Sequence, residues 1–425
     1  MIYSAWTIKD GAIIRYQRTI LNEVRRSIDE YPVTLITGAR QVGKSTLASY
    51  FEEKGYRYIT FDDTDLLAKA KENPKKFIKD CGYPIIIDEI QRCKKLFIEI
   101  EHVVNEVRRT KGTIEANGMY ILTGSQKFHL MKGVSESMSG RVGIIEMEPL
   151  SQAEINNWDE VPFEIDNEKM MLKADERKLS EDALYTSILR GFYPARWEFE
   201  GKPIKNYYSN YLKTFIERDV SELINVKDLR RFENFIKVVA SLTGEEYNAS
   251  NISKVVGIDN KTVESWLSIL IVSNLVTLLE PYYEDSINKR IVKRNKIYFN
   301  DTGLACYLIG IDSPKTLKLS EFKGRIVETY IHNEICKSFK NNNVEIQMFY
   351  YRDNNQNEID FIILKDGNLF LIEAKSGKQY GINDIKGFKQ LANTKYNIAG
   401  QCILCCTEEV YRISSQIYAF PIRSI

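Results

Sequence analysis

Gly38-Ala39-Arg40-Gln41-Val42-Gly43-Lys44-Ser45 has the spacing of a loop that holds phosphate, G-x-x-x-x-G-K-[ST], between the apolar run Val33–Thr37 and a helix start at Thr46. The glycines let successive backbone N–H groups turn toward one anion, the helix N-terminus adds partial positive charge, and Lys44 adds a full one. Ser45 is left to ligate Mg2+. A second apolar run, Tyr83–Ile87, ends in Asp88 and Glu89. Asp88 is expected to hold Mg2+ through water and Glu89 to orient and deprotonate an attacking water, so hydrolysis is implied as well as binding. A third, Met119–Thr123, leads to Gly124-Ser125-Gln126, where Ser125 or Gln126 can reach a γ-phosphate. No Asn-Lys-x-Asp guanine-reading motif occurs, which favours ATP over GTP.

A different chemistry is written near the C-terminus. Asn357–Leu364 and Leu369–Lys375 flank Lys365-Asp366-Gly367-Asn368, and Asp-Gly is a strong two-residue hairpin signal. Pairing Lys365 with Asn368 sets Asp360 opposite Glu373, with Lys375 two residues further on the same face. Ile359, Phe361, Ile363, Phe370, Ile372 and Ala374 form the other, apolar face. Two carboxylates directly across a ladder repel each other. A shared divalent cation, Mg2+ or Mn2+, removes that penalty, and Lys375 could then position water or stabilise charge on a phosphate.

Between these regions, Ser250–Val256 and Asn260–Leu267 predict two helices around the turn Gly257-Ile258-Asp259, followed by a strand pair near Val276–Tyr283 and Ile291–Phe299. That order describes a winged helix-turn-helix. Its candidate wing carries Lys289, Arg290, Lys293, Arg294 and Lys296 without an intervening acid, a cluster that suits phosphates of DNA or, equally, a protein surface.

The elements that must position these groups follow from periodicity. Strands expected near residues 33 to 37, 57 to 62, 84 to 88, 119 to 124 and 142 to 148 alternate with amphipathic helices, which argues for an α/β fold with a parallel sheet covered on both faces. Residues 1–150 are read as this nucleotide-binding domain, 151–204 as a lid or connector, 205–314 as the helical winged-helix domain, and 315–425 as a mixed α/β domain. A length of 425 residues accommodates several domains. With 44% hydrophobic and 28% charged residues and a net charge of +1, the chain reads as globular and is not uniformly basic. No secretory leader is visible, and the apolar stretch Trp266–Leu279, interrupted by Ser268, Ser273 and Asn274, is too short for a membrane span. Seven cysteines without framework spacing suit a reducing compartment, so a cytoplasmic location is expected. Cys402-Ile403-Leu404-Cys405 lacks a second ligand pair and reads as buried strand, not as a zinc site.

Thr37–Ser45, Asp88-Glu89-Ile90-Gln91, Leu122–Ser125, Tyr211–Val220 and Ile297–Leu304 together resemble a prokaryotic family of AAA-type P-loop ATPases whose members carry a winged-helix segment and then a nuclease-like C-terminal domain. The resemblance covers nearly the whole chain. It implies that Arg141, in Ser139-Gly140-Arg141 ahead of a strand, stands where an arginine finger reaches a neighbouring subunit of a homo-oligomer; an intramolecular ion pair suits the guanidinium equally. The hairpin resembles the PD-(D/E)xK nuclease core, in which Asp360, Glu373 and Lys375 match the motif, Glu328 on the preceding helix matches its helical acid, and Gln390 is a weaker match. The expected function is ATP hydrolysis coupled to nucleic-acid binding, DNA first, with metal-dependent cleavage. The alternative is an ATP-dependent switch that binds a protein partner through a retired nuclease fold.

Overall fold

The computed structural model describes residues 16–125, 138–198, 204–220, 229–283 and 294–425. The chain divides into two compact units, one of Met1–Glu160 with Lys340–Asn343 and one of Val161–Phe339 with Val344–Ile425.

The first unit is built on a five-stranded sheet: β1 (Val33–Thr37), β2 (Arg57–Thr60), β3 (Ile85–Asp88), β4 (Tyr120–Gly124) and β5 (Val142–Glu146), in the order β2-β3-β4-β1-β5. Every pairing is parallel. All residues of β1, β3 and β4 are buried, so both faces of the sheet centre are covered, which explains their unbroken apolar runs. Ile86, Ile87, Ile121 and Leu122 lie at the sheet centre, and Phe61, Phe97 and Tyr120 are the bulky members of the core. Register decides the site. Thr37 pairs with Gly124 and Thr60 with Asp88, so the phosphate loop, Asp88 and Ser125 emerge together at the carboxyl ends of their strands. β4 stands between β1 and β3.

The second unit has a mixed nine-stranded sheet. Its strands are β6 (Glu245–Glu246), β7 (Val276–Pro281), β8 (Lys296–Phe299), β9 (Gln347–Arg352), β10 (Glu358–Lys365), β11 (Asn368–Lys375), β12 (Asn397–Cys405), β13 (Tyr411–Arg412) and β14 (Tyr418–Pro421), in the order β13-β14-β12-β11-β10-β9-β7-β8-β6. The hairpin β10–β11 pairs Lys365 with Asn368 and Phe361 with Ile372. Asp366 and Gly367 both have positive φ, 51° and 74°, the backbone that a two-residue turn with right-handed strand twist demands. Helices α1 (Ala249–Val256) and α2 (Asn260–Val272) are capped by Asn248 and Asp259 and bury Ile252, Val263, Trp266 and Leu267. Gly257 ends α1 at φ 74°, so the helix–turn–helix spacing follows from local cap chemistry. The antiparallel pair β7–β8 follows α2, and β7 also pairs in parallel with β9 through Glu280–Phe349 and Pro281–Tyr350. One sheet thus runs from the strand pair into the C-terminal hairpin. Among the described residues, no helix is long and apolar enough to cross a membrane.

Candidate functional site

In the first unit, Gly38 adopts φ 144°, and a Cβ there would lie 2.2 Å from the Met147 carbonyl oxygen, so only glycine fits. Gln41 and Gly43 also have positive φ, 63° and 98°. Arg18, which the sequence did not single out, braces the loop: its guanidinium donates to the Val42 carbonyl at 2.8 Å and the Glu148 carbonyl at 2.7 Å and pairs with Glu154 at 3.0 Å. Ala39 and Val42 pack inward, whereas Gln41 and Thr46 are exposed. Lys44 Nζ donates to Gly38 O at 3.1 Å and Ala39 O at 2.7 Å, which holds the ammonium over the loop beside Arg40.

Ser45 Oγ donates to Asp88 Oδ1 at 2.8 Å, and Thr60 Oγ1 donates to Asp88 Oδ2 at 3.2 Å. Thr123 Oγ1 is a third hydroxyl donor to Asp88. A buried carboxylate flanked by hydroxyl groups is a hard-oxygen site, so Ser45 and Asp88 fit Mg2+. Glu89 follows in the left-handed region at φ 58°. A non-glycine residue is held there only when its surroundings fix it. Gln91, another residue the sequence left without a role, donates from Nε2 to Glu89 Oε2. Burial raises the Glu89 pKa and Asp88 adds to the rise, while Lys44, Gln91 and Arg40 oppose it. A carboxylate made more basic is better suited to take a proton from water. Among the described residues, the buried Ser125 hydroxyl has no hydrogen-bond partner, and neither has that of Thr37, so both have unsatisfied polar capacity beside the loop. Gln126 lies outside the described residues.

Arg141 sits at the amino end of β5, across the sheet from its own phosphate loop. Its Nε donates to Asn105 Oδ1 at 2.8 Å, its Nη1 to Ser139 O at 2.9 Å, and Glu101 is 3.8 Å away. Of the two roles open for it, this is the intramolecular engagement.

In the second unit, Asp360 and Glu373 lie where the hairpin register directs them, and Glu328 arrives on α3 (Lys323–Lys340). Lys375 Nζ lies 2.6 Å from Glu373 Oε2 and 3.4 Å from Asp360 Oδ2. Asp360 Oδ2 also accepts from the Ala374 amide at 2.8 Å. The β9–β10 register shifts between Ile359 and Ile362, an irregularity at the segment carrying Asp360. Lys296 corrects an expectation. Read as a wing cation, it is 2% exposed, with Nζ 3.0 Å from Glu328 Oε1, 2.6 Å from Glu358 Oε1 and 4.0 Å from Asp360 Oδ1. Its pairing within β8 turns it away from solvent, so it cannot serve as a surface phosphate contact.

Of the expected metal set, Asp360 and Glu373 share Lys375, while Glu328 and Asp360 face Lys296. Among the described residues, no group of three or more His, Cys, Asp or Glu side chains is arranged to hold a metal ion. Two ammonium groups stand among these acids instead. The charges answer one another: burial and Asp360 raise the Glu373 pKa to about 10, with Lys375 opposing. Burial also raises Glu328, to about 7, against the pull of Lys296. Burial would raise Asp360 too, but Lys375 and Lys296 outweigh it and hold that carboxyl below its ordinary range. Gln390 is exposed, Arg294 is exposed, and Lys289, Arg290 and Lys293 lie outside the described residues.

Residues 30–156 match the model of an AAA domain, residues 181–315 a domain of unknown function (DUF8612), and residues 323–425 another (DUF4143). Similar curated proteins include uncharacterized proteins of Mycobacterium tuberculosis and Mycobacterium bovis, each 25% identical over 377 residues, spanning 88% of this chain and 76% of the relative. Among solved structures, the Walker-type ATPase of Pyrococcus abyssi superposes with a TM-score of 0.45 at 16% identity, covering 71% of this chain and 97% of that one. The AAA-domain match, taken with the loop and carboxylate geometry, supports a P-loop ATPase of AAA type in the first unit.

Proposed function

We propose that this chain hydrolyses ATP with Mg2+ in its first unit and that its nucleotide state governs nucleic-acid binding, DNA being the expected ligand, by its second. The observation that carries the ATPase reading is the convergence of Lys44, Ser45, Asp88 and Glu89 beyond the carboxyl ends of β1 and β3, the two strands that flank β4. The loop amides and Lys44 would bind the phosphates, and Ser45 and Asp88 would hold Mg2+. The bound ion supplies charge neutralisation. Glu89 takes the proton of the attacking water, Gln91 orients the Glu89 carboxylate, and the Ser125 hydroxyl is available to the terminal phosphate.

Binding of nucleic acid is supported by the capped helix pair α1–α2, by Lys254, Lys261 and Arg294 on exposed positions, and by the basic run Lys289, Arg290 and Lys293. The division into an ATPase domain, a connector, a winged-helix segment and a nuclease-like segment belongs to the same reading; the matched segments 30–156 and 181–315 end near its boundaries after 150 and 314, while the second runs across the one after 204. So does a cytoplasmic setting, which suits seven free cysteines. Salt-dependent DNA binding tests the proposal. Neutralising Lys289, Arg290, Lys293 and Arg294 together should weaken binding and reduce the slope against log salt by about one unit per lost phosphate contact. An unchanged affinity and slope would move the wing to protein contact.

One observation favours the second reading, an ATP-dependent switch that binds a protein partner through a retired nuclease-like fold: Lys296 stands among the very carboxylates that metal-dependent cleavage would need. DNA-stimulated ATP hydrolysis separates the two, since the switch requires ATPase activity that DNA leaves unchanged.

A further inference from the structure

Lys296 occupies an unusual position for its type. Lysine is almost never fully buried unless paired, because removing an ammonium from water is costly. Here the cost is offset by Glu328 from α3 and by Glu358 and Asp360 from β10, with the Tyr350 ring centroid 5.5 Å from Nζ. Tyr298, two residues on and on the same face of β8, donates to Glu328 Oε1 at 2.6 Å and fixes that carboxylate. Lys296 is itself fixed by strands on both sides, opposite Leu279 of β7 and Glu246 of β6. Its main chain cannot swing out without breaking the sheet.

Carboxylate oxygens drawn from two elements around one cation form the donor set of Mg2+ or Mn2+. The cation present is part of the chain. An incoming divalent ion would meet the Lys296 ammonium among the same oxygens, with Lys375 a second positive charge on the Asp360–Glu373 side.

We propose that Lys296 is the resident counter-cation of this cluster, standing where a divalent metal would stand, and that it keeps a latent Mg2+ or Mn2+ site made by Glu328, Glu358 and Asp360 closed. The ammonium removes the mutual repulsion of the acids that a metal would otherwise have to neutralise. The second unit consequently holds its hairpin, α3 and β8 together in the absence of metal. This role does not depend on nucleic-acid binding, so it stands or falls separately from the function proposed above.

The test uses the full chain, nucleotide-free and carrying Lys44→Ala to weaken metal retention at the phosphate loop, titrated with Mn2+ and followed by electron paramagnetic resonance and melting temperature. The parent protein should bind no Mn2+ that Asp360→Asn removes, and its melting temperature should not change with Mn2+. Lys296→Met should gain one saturable Mn2+ per chain, a gain abolished by adding Glu328→Gln, and should melt higher with Mn2+ than without. If Lys296→Met is unfolded without metal, recovery of its circular-dichroism spectrum on adding Mn2+ supports the proposal. Saturable Mn2+ binding by the parent that Asp360→Asn abolishes overturns it, as does a Lys296→Met protein that Mn2+ neither binds nor refolds.

Discussion

Ser45 Oγ donates to Asp88 Oδ1 at 2.8 Å, joining the first turn of the helix that begins at Lys44 to the end of β3. Asp88 is thereby shared among Ser45, Thr60 and Thr123, three hydroxyl groups on three different elements. The residue that would hold Mg2+ is also a structural hub. Asp88→Ala should therefore lower the stability of the first unit by about 1–3 kcal/mol, the usual cost of leaving buried polar groups unpaired, in addition to abolishing hydrolysis. Conservative changes at neighbouring positions separate the roles more cleanly.

Lys44→Ala should lose ATP binding, because it deletes the full positive charge of the phosphate loop. Glu89→Gln should bind ATP normally and lose hydrolysis by about 10²-fold or more, the range for removing a general base. Nucleotide titration and phosphate release measure the two effects separately. Normal turnover by Glu89→Gln would remove that residue from the role of base.

Gln91 should act on rate through Glu89. Its amide donates to the Glu89 carboxylate and opposes the rise that burial imposes on that group's pKa. Removing the donor in Gln91→Ala should raise the Glu89 pKa further, so the acidic limb of the kcat–pH profile should move to higher pH. A reduced kcat with an unshifted limb would assign Gln91 to packing alone.

These positions differ in how far the sequence disclosed them. The phosphate loop is legible because its chemistry is local: eight consecutive residues must supply the glycines, the lysine and the hydroxyl. The hairpin register is legible for a related reason, since side chains alternate with period two and Asp366-Gly367 fixes the turn. Lys296 is not. It sits at the end of a basic run that reads as solvated surface, whereas its burial is decided by Glu328, 32 residues away, and by the pairing of β8 between β7 and β6. One signal was present: in Lys296-Ile297-Tyr298-Phe299, Lys296 shares a strand face with a tyrosine, which allows a facing acid to bind both. Gln91 was likewise beyond reach, because its contact with Glu89 depends on the left-handed kink at that residue.

The stability of the second unit should fall as pH rises. Burial and Asp360 raise the Glu373 carboxyl from 4.5 to about 10, so the folded chain holds this proton over a range in which the unfolded chain has released it. Stabilisation from this group is fully present below the ordinary carboxylate value and is lost as pH rises through the folded one. Glu328, raised from 4.5 to about 7, acts in the same direction over the lower part of that window. Glu373→Gln, which cannot ionise, should flatten the decline. Hydrogen exchange of the β10 and β11 amides between pH 5 and pH 9, corrected for intrinsic rates, reads this directly; parallel pH dependence in the wild type and Glu373→Gln would show that Glu373 ionises normally.

Arg141 poses the remaining question about the first unit, and its contacts favour an answer within one chain. Its guanidinium bonds Asn105 and Ser139 and lies near Glu101, so it ties the helix Leu96–Lys111 to the entry of β5. Arg141→Ala should cost about 0.5–1.5 kcal/mol of stability, the usual net value of a lost hydrogen-bonding group. An arginine acting across a subunit boundary makes a further demand. Mixing Arg141→Ala with Glu89→Gln would then create sites having Glu89 from one chain and Arg141 from the next, and hydrolysis would partly return. The intramolecular contacts predict no recovery above the sum of the separate variants, measured in mixtures shown to contain both chains in one assembly. Recovery in those mixtures would instead establish Arg141 as an arginine finger and the homo-oligomer as the active species.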